Sequence, residues 1–190
     1  MIIGITGGIG SGKSTLSEYL RSHGFAVYDT DREAKRLQNE DSKLIENTKY
    51  IFGDNIYDNG KLDRQAVASV VFKNPDLLEK LTSIVHPIVK SDFLAWASKF
   101  NSNILIFVES AVLFESGFNE LADKIILVTA SEDIRIQRIM KRDGVTREQV
   151  LSRIKNQIPD AVKALKSDLV IITDNGLPDD VLQSIVVWQD

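Results

Sequence analysis

Apolar residues along the chain follow two patterns, which predict two kinds of element. Short uninterrupted runs are typical of strands buried on both faces of a parallel sheet. They predict five strands, at 2–6, 25–29, 104–109, 124–129 and 169–173. Between the first two runs, Leu16 and Leu20 are four residues apart and Gly24 follows, which predicts a helix that ends there. We therefore expect an α/β sandwich around a mainly parallel, five-stranded sheet.

The middle third of the chain has little strand character and several helical patterns. Gly53 and the sequence DNG at 58–60 interrupt them and predict turns. Pro75 and Pro87 each suit the first position of a helix, and the run LLEKLTSIV between them has helical spacing. We expect a helical insertion with helices beginning at these two prolines.

The last third combines the remaining strands with helices that carry clear end signals. Ser131 is a candidate cap for a helix that ends at Gly144, and TREQ at 146–149 matches a capping box. That second helix should end before Pro159, and a closing helix should have Pro178 near its first turn.

Composition narrows the classes of function. The 190 residues carry a net charge of −4, which argues against a broad nucleic-acid-binding surface, and no cysteine, which excludes disulfide, thiol and cysteine-zinc chemistry. The apolar start is too short for a secretory signal, and the run at 104–108 is too short to cross a membrane. We expect a cytoplasmic protein, as a monomer or weak homo-oligomer, with small-molecule partners and neither nucleic acid nor membrane.

The segment GGIGSGKS at 7–14 fits the phosphate-loop pattern between a predicted strand and a predicted helix. Glycines allow backbone N–H groups to surround a phosphate, and the helix N-terminus adds positive charge. Lys13 would reach the β- and γ-phosphates and the Ser14 hydroxyl would bind Mg²⁺. A simple glycine turn needs no such flanking elements, and a dinucleotide site does not explain Lys13 and Ser14. The predicted phosphate contacts are Gly8, Ile9, Gly10, Ser11, Gly12, Lys13, Ser14 and Thr15.

Other nucleotide-binding classes fit poorly. No glycine has an aspartate three residues before it, and Asn-Lys does not occur, so the elements of a GTPase switch are missing. Nothing supplies the aromatic and basic pattern of a nucleic-acid motor. A small kinase remains, with a nucleotide-gated binding module that lacks transfer activity as the alternative from another class.

A kinase needs a carboxylate to receive the proton of the acceptor hydroxyl. The sequence YDTD places Asp29 and Asp31 at the end of the second predicted strand. On an extended segment both carboxylates share one face, so one could assist Mg²⁺, with Asp29 as candidate, while the other meets the hydroxyl. The alternative is that Asp31 caps a helix beginning at Arg32.

A kinase also needs cations that neutralise phosphoryl charge on closing. Arg135, Arg138 and Arg142 are spaced i, i+3 and i+7, on one helical face. They could make bidentate phosphate contacts from a helical lid. The alternative is a solvated basic face paired with Glu132, Asp133 and Asp143.

At TGGIGSGKST the chain resembles the dephospho-CoA kinases. The likeness continues in order through most of the chain, in YDTD, KLDR at 61–64, HP at 86–87, LFE at 113–115, QRIMKRDGVTREQV at 137–150, Gln157 and DNG at 174–176. Two positions depart from the family pattern: Ala111 stands where proline is common, and Asp174 where asparagine is common beside the presumed adenine site, so that Asn175 is the candidate there.

This resemblance implies transfer of the ATP γ-phosphoryl group to the 3′-hydroxyl of dephospho-coenzyme A, with Mg²⁺. It implies that Asp31 is the base, that Lys13 and Arg138 also serve catalysis, and that Arg138 and Arg142 belong to the lid. Arg64 and His86 would contact the acceptor, although a surface ion pair and a structural cap are their alternatives. A related nucleotide or nucleoside kinase is the rival function. The expected domains are a nucleotide-binding core (1–31, 101–130 and 165–190), a helical acceptor domain (32–100) and a lid (131–164).

Overall fold

The computed structural model describes residues 1–71, 74–101 and 103–189. Phe72, Lys73, Ser102 and Asp190, which fall inside the predicted domain segments, lie outside the described residues. The chain divides into two compact units, one formed by Met1–Asp29 with Phe100–Asp190 and the other by Thr30–Lys99.

The described residues form strands and helices in the following order. The strands are β1 (Ile2–Thr6), β2 (Ala26–Asp29), β3 (Tyr57–Asp58), β4 (Lys61–Leu62), β5 (Ile106–Glu109), β6 (Lys124–Thr129) and β7 (Leu169–Ile172). The helices are α1 (Lys13–Ser22), α2 (Thr30–Glu40), α3 (Ser42–Phe52), α4 (Arg64–Val71), α5 (Pro75–Ala97), α6 (Glu132–Asp143), α7 (Arg147–Lys155), α8 (Asp160–Ala164) and α9 (Val181–Val186).

Five strands form the sheet of the first unit, in the order β2-β5-β1-β6-β7, and every pair is parallel. This confirms the predicted α/β fold with a five-stranded parallel sheet. The central strands are apolar on both faces because helices cover them: Ile5 and Phe107 are fully buried, and Leu16 and Leu20 of α1 belong to the same core cluster. The carboxyl ends of the strands therefore meet at one edge, where ligands bind in such sheets.

The helical unit contains α2 to α5 and a small β3–β4 hairpin whose turn includes the predicted DNG sequence. The prediction that a helix begins at Pro87 is wrong, because α5 continues through it. Leu81, Val85, Val89 and Phe93 form one buried stripe at four-residue spacing on both sides of the proline. Pro87 is exposed, so water can satisfy the carbonyl that its missing N–H would have paired, and the buried stripe holds the helix together.

Two further predicted boundaries change. Since α2 begins at Thr30, Asp31 lies in the first helical turn, and both its placement on an extended segment and the alternative of a cap before Arg32 are wrong. A carboxylate in a first turn is favoured by the helix dipole, which explains why the helix starts so early. The closing helix α9 begins at Val181, after Pro178 rather than with it.

The predicted end signals around α6 and α7 are largely confirmed. Gly144 adopts a left-handed conformation (φ 65°) at the end of α6. Thr146 and Gln149 form both hydrogen bonds of the capping box of α7. Ser131 occupies the cap position of α6, but its side chain makes no capping hydrogen bond. Within the described part of the chain, no helix has both the length and the apolar run needed to cross a membrane.

Candidate nucleotide-binding site

The glycine-rich segment connects β1, in the centre of the sheet, to the N-terminus of α1. Gly12 immediately precedes the helix in a left-handed conformation (φ 95°), which residues with a side chain rarely adopt. The first turn of α1 contains no acidic residue, so the positive end of its dipole is not neutralised locally. The loop therefore presents backbone N–H groups and a helix N-terminus, an arrangement that binds phosphate.

Lys13 lies across this loop. Its ammonium group donates hydrogen bonds to the carbonyl oxygens of Gly7, at 2.9 Å, and Gly8, at 3.2 Å. The side chain is half-buried, so the charge is held beside the loop rather than in bulk water. An ammonium in this position can exchange a loop carbonyl for a phosphate oxygen.

Ser14 and two carboxylates meet where β2 and β5 end. Asp29 and Glu109 are register partners across these neighbouring strands. The Ser14 hydroxyl donates to Glu109 Oε1 at 3.2 Å. Among the described residues, Glu109 Oε2 has no hydrogen-bond partner, although the residue is buried. A buried, partly unsatisfied carboxylate next to a hydroxyl and a second carboxylate is a fitting environment for a hard cation.

The electrostatics of Glu109 reflect this position. Burial raises the pKa of its carboxyl above the ordinary value, and the charge of Asp29 raises it further. The nearby Ser17 hydroxyl, the charge of Lys13 and the hydrogen bond from Ser14 lower that pKa, but burial dominates. Glu109 is the last residue of the strand predicted at 104–109, to which the sequence analysis assigned no role. A carboxylate directly at the end of an apolar strand is the signal that could have assigned one.

Arg138 joins the loop to the end of β7. Its guanidinium donates to the carbonyl oxygen of Thr173, to Thr173 Oγ1 at 2.9 Å and to Gly10 O at 3.4 Å. The Thr173 hydroxyl in turn donates to Ser11 O at 2.7 Å. Beside these contacts is a cavity of about 140 Å³, lined by Gly12, Thr15, Arg138, Thr173, Gly176 and Leu177. Three of the predicted nucleotide contacts, Gly12, Thr15 and Arg138, thus line one cavity.

The other predicted nucleotide contacts are placed differently. Arg142 is exposed and pairs with the adjacent Asp143 at 2.7 Å, as the alternative of a solvated basic face predicts for this residue. Asp174, which precedes Asn175, accepts a hydrogen bond from the Ser131 backbone N–H at 2.7 Å. The Asp174 carboxylate therefore connects the loop after β7 to the start of α6. This is the position where asparagine is common in the family pattern.

Arg135 is buried against the phosphate loop. Its guanidinium donates to Ile9 O and to Asp160, each at 3.0 Å. The backbone N–H of Ile9, a predicted phosphate contact, instead donates to Gln157 Oε1 at 2.9 Å. Sequence reasoning did not identify either contact.

Ala111, the second departure from the family pattern, lies after β5. Its carbonyl oxygen accepts a hydrogen bond from the buried Lys163 ammonium at 3.4 Å. A proline would offer the same carbonyl, so this contact does not depend on the substitution.

The predicted acceptor residues all belong to the helical unit. Asp31 is in the first turn of α2, and Arg64, at the start of α4, donates to Lys35 O at 2.8 Å. His86 is half-buried in α5, where burial and then the charge of Lys90 lower the pKa of its imidazole. The unit also carries a groove of about 460 Å³, which sequence reasoning did not predict, lined by Asn47, Tyr50, Ile51, Leu77, Lys80, Ser83 and Ile84.

Comparison with known proteins gives consistent matches. The family model described as dephospho-CoA kinase matches residues 1–179. A dephospho-CoA kinase from Porphyromonas gingivalis is 45% identical over 155 residues, which cover 82% of this chain and 76% of that protein. A crystal structure from Thermus thermophilus is 36% identical with a TM-score of 0.86, covering 99% of this chain and 97% of that one. A dephospho-CoA kinase structure from Campylobacter jejuni is 28% identical with a TM-score of 0.71, covering 99% of this chain and 95% of that one.

Proposed function

Because the chain belongs to the dephospho-CoA kinase family, we propose that it transfers the γ-phosphoryl group of ATP to the 3′-hydroxyl of the ribose of dephospho-coenzyme A, giving coenzyme A and ADP. The observation that carries this proposal is the phosphate loop between β1 and α1, with the Lys13 ammonium held across it. Phosphoryl transfer depends mainly on positioning and on neutralising phosphate charge, and this loop supplies both.

In this proposal the backbone N–H groups of Gly10 and residues 12–15, at the N-terminus of α1, bind the β-phosphate, while Lys13 neutralises charge on the β- and γ-phosphates. Arg138 contacts the loop and also lines the cavity beside Thr15, which supports a role next to the nucleotide. Arg142 and Asn175 are proposed further nucleotide contacts, and residues 131–164 the lid that carries the two arginines.

A magnesium ion fits the residues at the ends of β2 and β5. Within the described ranges no group of three or more histidine, cysteine, aspartate or glutamate side chains could hold a metal ion, but Mg²⁺ in kinases is bound by one or two carboxylates together with the substrate phosphates. The unpartnered Glu109 oxygen, the Ser14 hydroxyl and Asp29 form such a set. These residues would hold the ion, which when bound neutralises phosphate charge.

The acceptor is proposed to bind through the helical unit, with Asp31 accepting the proton of its hydroxyl. Asp31 lies in the first turn of α2, two residues after Asp29. Arg64 and His86 are proposed acceptor contacts. Since its pKa is lowered, His86 is uncharged at neutral pH and would act by hydrogen bonding, whereas Arg64 would supply positive charge.

The test is release of ADP from ATP and Mg²⁺ by the purified protein, measured with dephospho-coenzyme A, AMP, adenosine or no acceptor. We expect strong dependence on dephospho-coenzyme A, with coenzyme A identified as the product by mass spectrometry. Equal turnover with AMP or adenosine would assign the chain to another kinase reaction. Release that is independent of acceptor would indicate a nucleotide-gated module instead.

A further inference from the structure

Both backbone polar groups of one phosphate-loop residue, Ile9, are bound by the segment that follows β6. The Ile9 N–H donates to Gln157 Oε1 at 2.9 Å, and the Ile9 carbonyl accepts from Arg135 Nε at 3.0 Å. Arg135 is in α6, and Gln157 lies between α7 and α8. Two elements that are far from the loop in sequence therefore hold Ile9 from its two sides.

The arginine is itself fixed by a second layer of contacts. Arg135 Nη1 pairs with Asp160 Oδ2 at 3.0 Å, and the same oxygen accepts a hydrogen bond from Thr129 Oγ1 at 2.6 Å. The side chain of Arg135 is only 9% exposed. A buried arginine with a paired carboxylate keeps one geometry, because losing either partner would leave an uncompensated charge.

Packing leaves the loop little room around these contacts. A Cβ on Gly8 would lie 2.1 Å from Arg135 Nη2, and one on Gly10 would lie 2.7 Å from the Arg135 carbonyl oxygen. The Ile9 side chain packs against a small cluster formed by Ile136, Ile139 and Val150. Glycines at positions 8 and 10 are therefore needed for the close approach of α6 as well as for access to phosphate.

We propose that Arg135 and Gln157 are positioning residues that hold the Ile9 backbone in the orientation that leaves the amides of Gly10 and residues 12–15 to the phosphates, while the Ser11 N–H donates to Gly8 O at 3.2 Å within the loop. The clamp, as we name Arg135, Gln157 and Asp160, turns the Ile9 N–H away from the phosphate nest. It acts through the loop and does not itself touch nucleotide. The effect of the clamp on phosphoryl transfer rests on the proposed function. Its effect on nucleotide affinity does not, because that affinity can be measured without an acceptor.

If the clamp positions the loop, its loss should weaken the binding of nucleotides that carry phosphates at the loop and leave the binding of adenosine unchanged. Gln157→Met has nearly the same shape but no hydrogen-bond acceptor, and Arg135→Lys keeps the charge but loses the planar contact to Ile9 and Asp160 together. We expect each variant to bind ADP and ATP about 10-fold or more weakly, since a misplaced binding group of this kind costs up to about 100-fold. Adenosine affinity should stay within about twofold, which also excludes general unfolding as the cause.

Isothermal titration calorimetry with adenosine, ADP and ATP measures these affinities without an acceptor. The test of the clamp therefore remains valid even if the proposed reaction is wrong. Amide exchange at Ile9, followed by NMR, should accelerate in Gln157→Met. Arg147→Lys is the matched control, because Arg147 is an exposed arginine of α7 that pairs with Asp133 at 3.0 Å. Unchanged ADP affinity in Gln157→Met, or an equal loss for adenosine and ADP, would overturn the proposal. Failed acceptor-dependent turnover by the wild-type protein would overturn only the proposed function.

Discussion

Replacement of Thr173 by valine removes a hydroxyl that links three parts of the nucleotide site. Thr173 is 3% exposed. Its hydroxyl donates to Ser11 O at 2.7 Å, lies 3.3 Å from Thr129 O, and accepts from Arg138 at 2.9 Å. The Thr173 carbonyl gives the arginine a further contact. Valine has nearly the same volume but can make none of the hydroxyl contacts, so it isolates their contribution.

The magnitude follows from the two shorter of the three hydroxyl contacts that are lost. The neutral bond to Ser11 contributes about 1 kcal/mol, and a bond to a charged group about 1.5–3 kcal/mol, reduced here because Arg138 retains the Thr173 carbonyl. The sum is about 2–3 kcal/mol, or a fall in Tm of about 5–10 °C for a chain of this length. A methyl carbon placed 2.7 Å from Ser11 O would also be closer than the usual carbon–oxygen contact of about 3.3 Å, so the loop must shift.

Thermal unfolding and ADP titration of Thr173→Val test both consequences. We expect the lower Tm and about 10-fold weaker ADP binding, because the displaced residue belongs to the phosphate loop. Thr173→Ser is the control, since serine keeps the hydroxyl and loses only the methyl group. If valine and serine gave the same Tm and the same ADP affinity, the hydroxyl contacts would not hold the loop and the reasoning would be refuted.

Three further variants test separate parts of the site. Glu109→Gln should raise Tm in the absence of metal and weaken Mg²⁺-dependent turnover. Burial raises the folded pKa of Glu109, so the stability that this residue contributes is present below its ordinary pKa of 4.5 and is lost as pH rises through the folded pKa. The Tm difference between Glu109→Gln and wild type should therefore grow as pH rises above 4.5. A constant difference would contradict this. Lys13→Ala should lower kcat/KM by about 100-fold or more, and an unchanged value in steady-state assays would remove the phosphate-loop assignment. Asp31→Asn should lower kcat by about 10²-fold or more with nearly unchanged ATP affinity, and turnover within a few-fold of wild type would remove Asp31 as the base.

The sheet and the phosphate loop were predictable because their signals are local. Short apolar runs such as 124–129 report burial on both faces, and the spacing from Gly7 to Ser14 reports the loop directly. The position of Glu109 at a strand end was also predictable, since parallel strands bring their carboxyl ends to one edge. The sequence could not predict that Glu109 Oε2 has no hydrogen-bond partner, because its partners would come from other strands and helices.

Predictions of helix boundaries failed where packing outweighed the local preference of a residue. Proline ordinarily ends or begins a helix, yet the buried stripe from Leu81 to Phe93 carries α5 through Pro87. Alternation along an extended segment required Asp31 to remain in a strand, whereas α2 starts one residue before it. In both places the preference of a few residues was outweighed by the element into which they are packed.

Arg135, Arg138 and Arg142 show why spacing on a helix is not enough to assign chemistry. Their spacing places them along one stripe, but seven residues of helix span about 10 Å, so the three do not share one environment. The Arg135 side chain is 9% exposed and fixed to Ile9, Arg138 contacts both the loop and Thr173, and the Arg142 side chain is 63% exposed. The ion pair of Arg142 with Asp143 is exposed to solvent and therefore weak, so this arginine can exchange its partner for a phosphate oxygen at little cost. Arg135 cannot do so without leaving Asp160 unpaired, and the same stripe therefore provides a fixed support for the loop at one end and an exchangeable cation at the other.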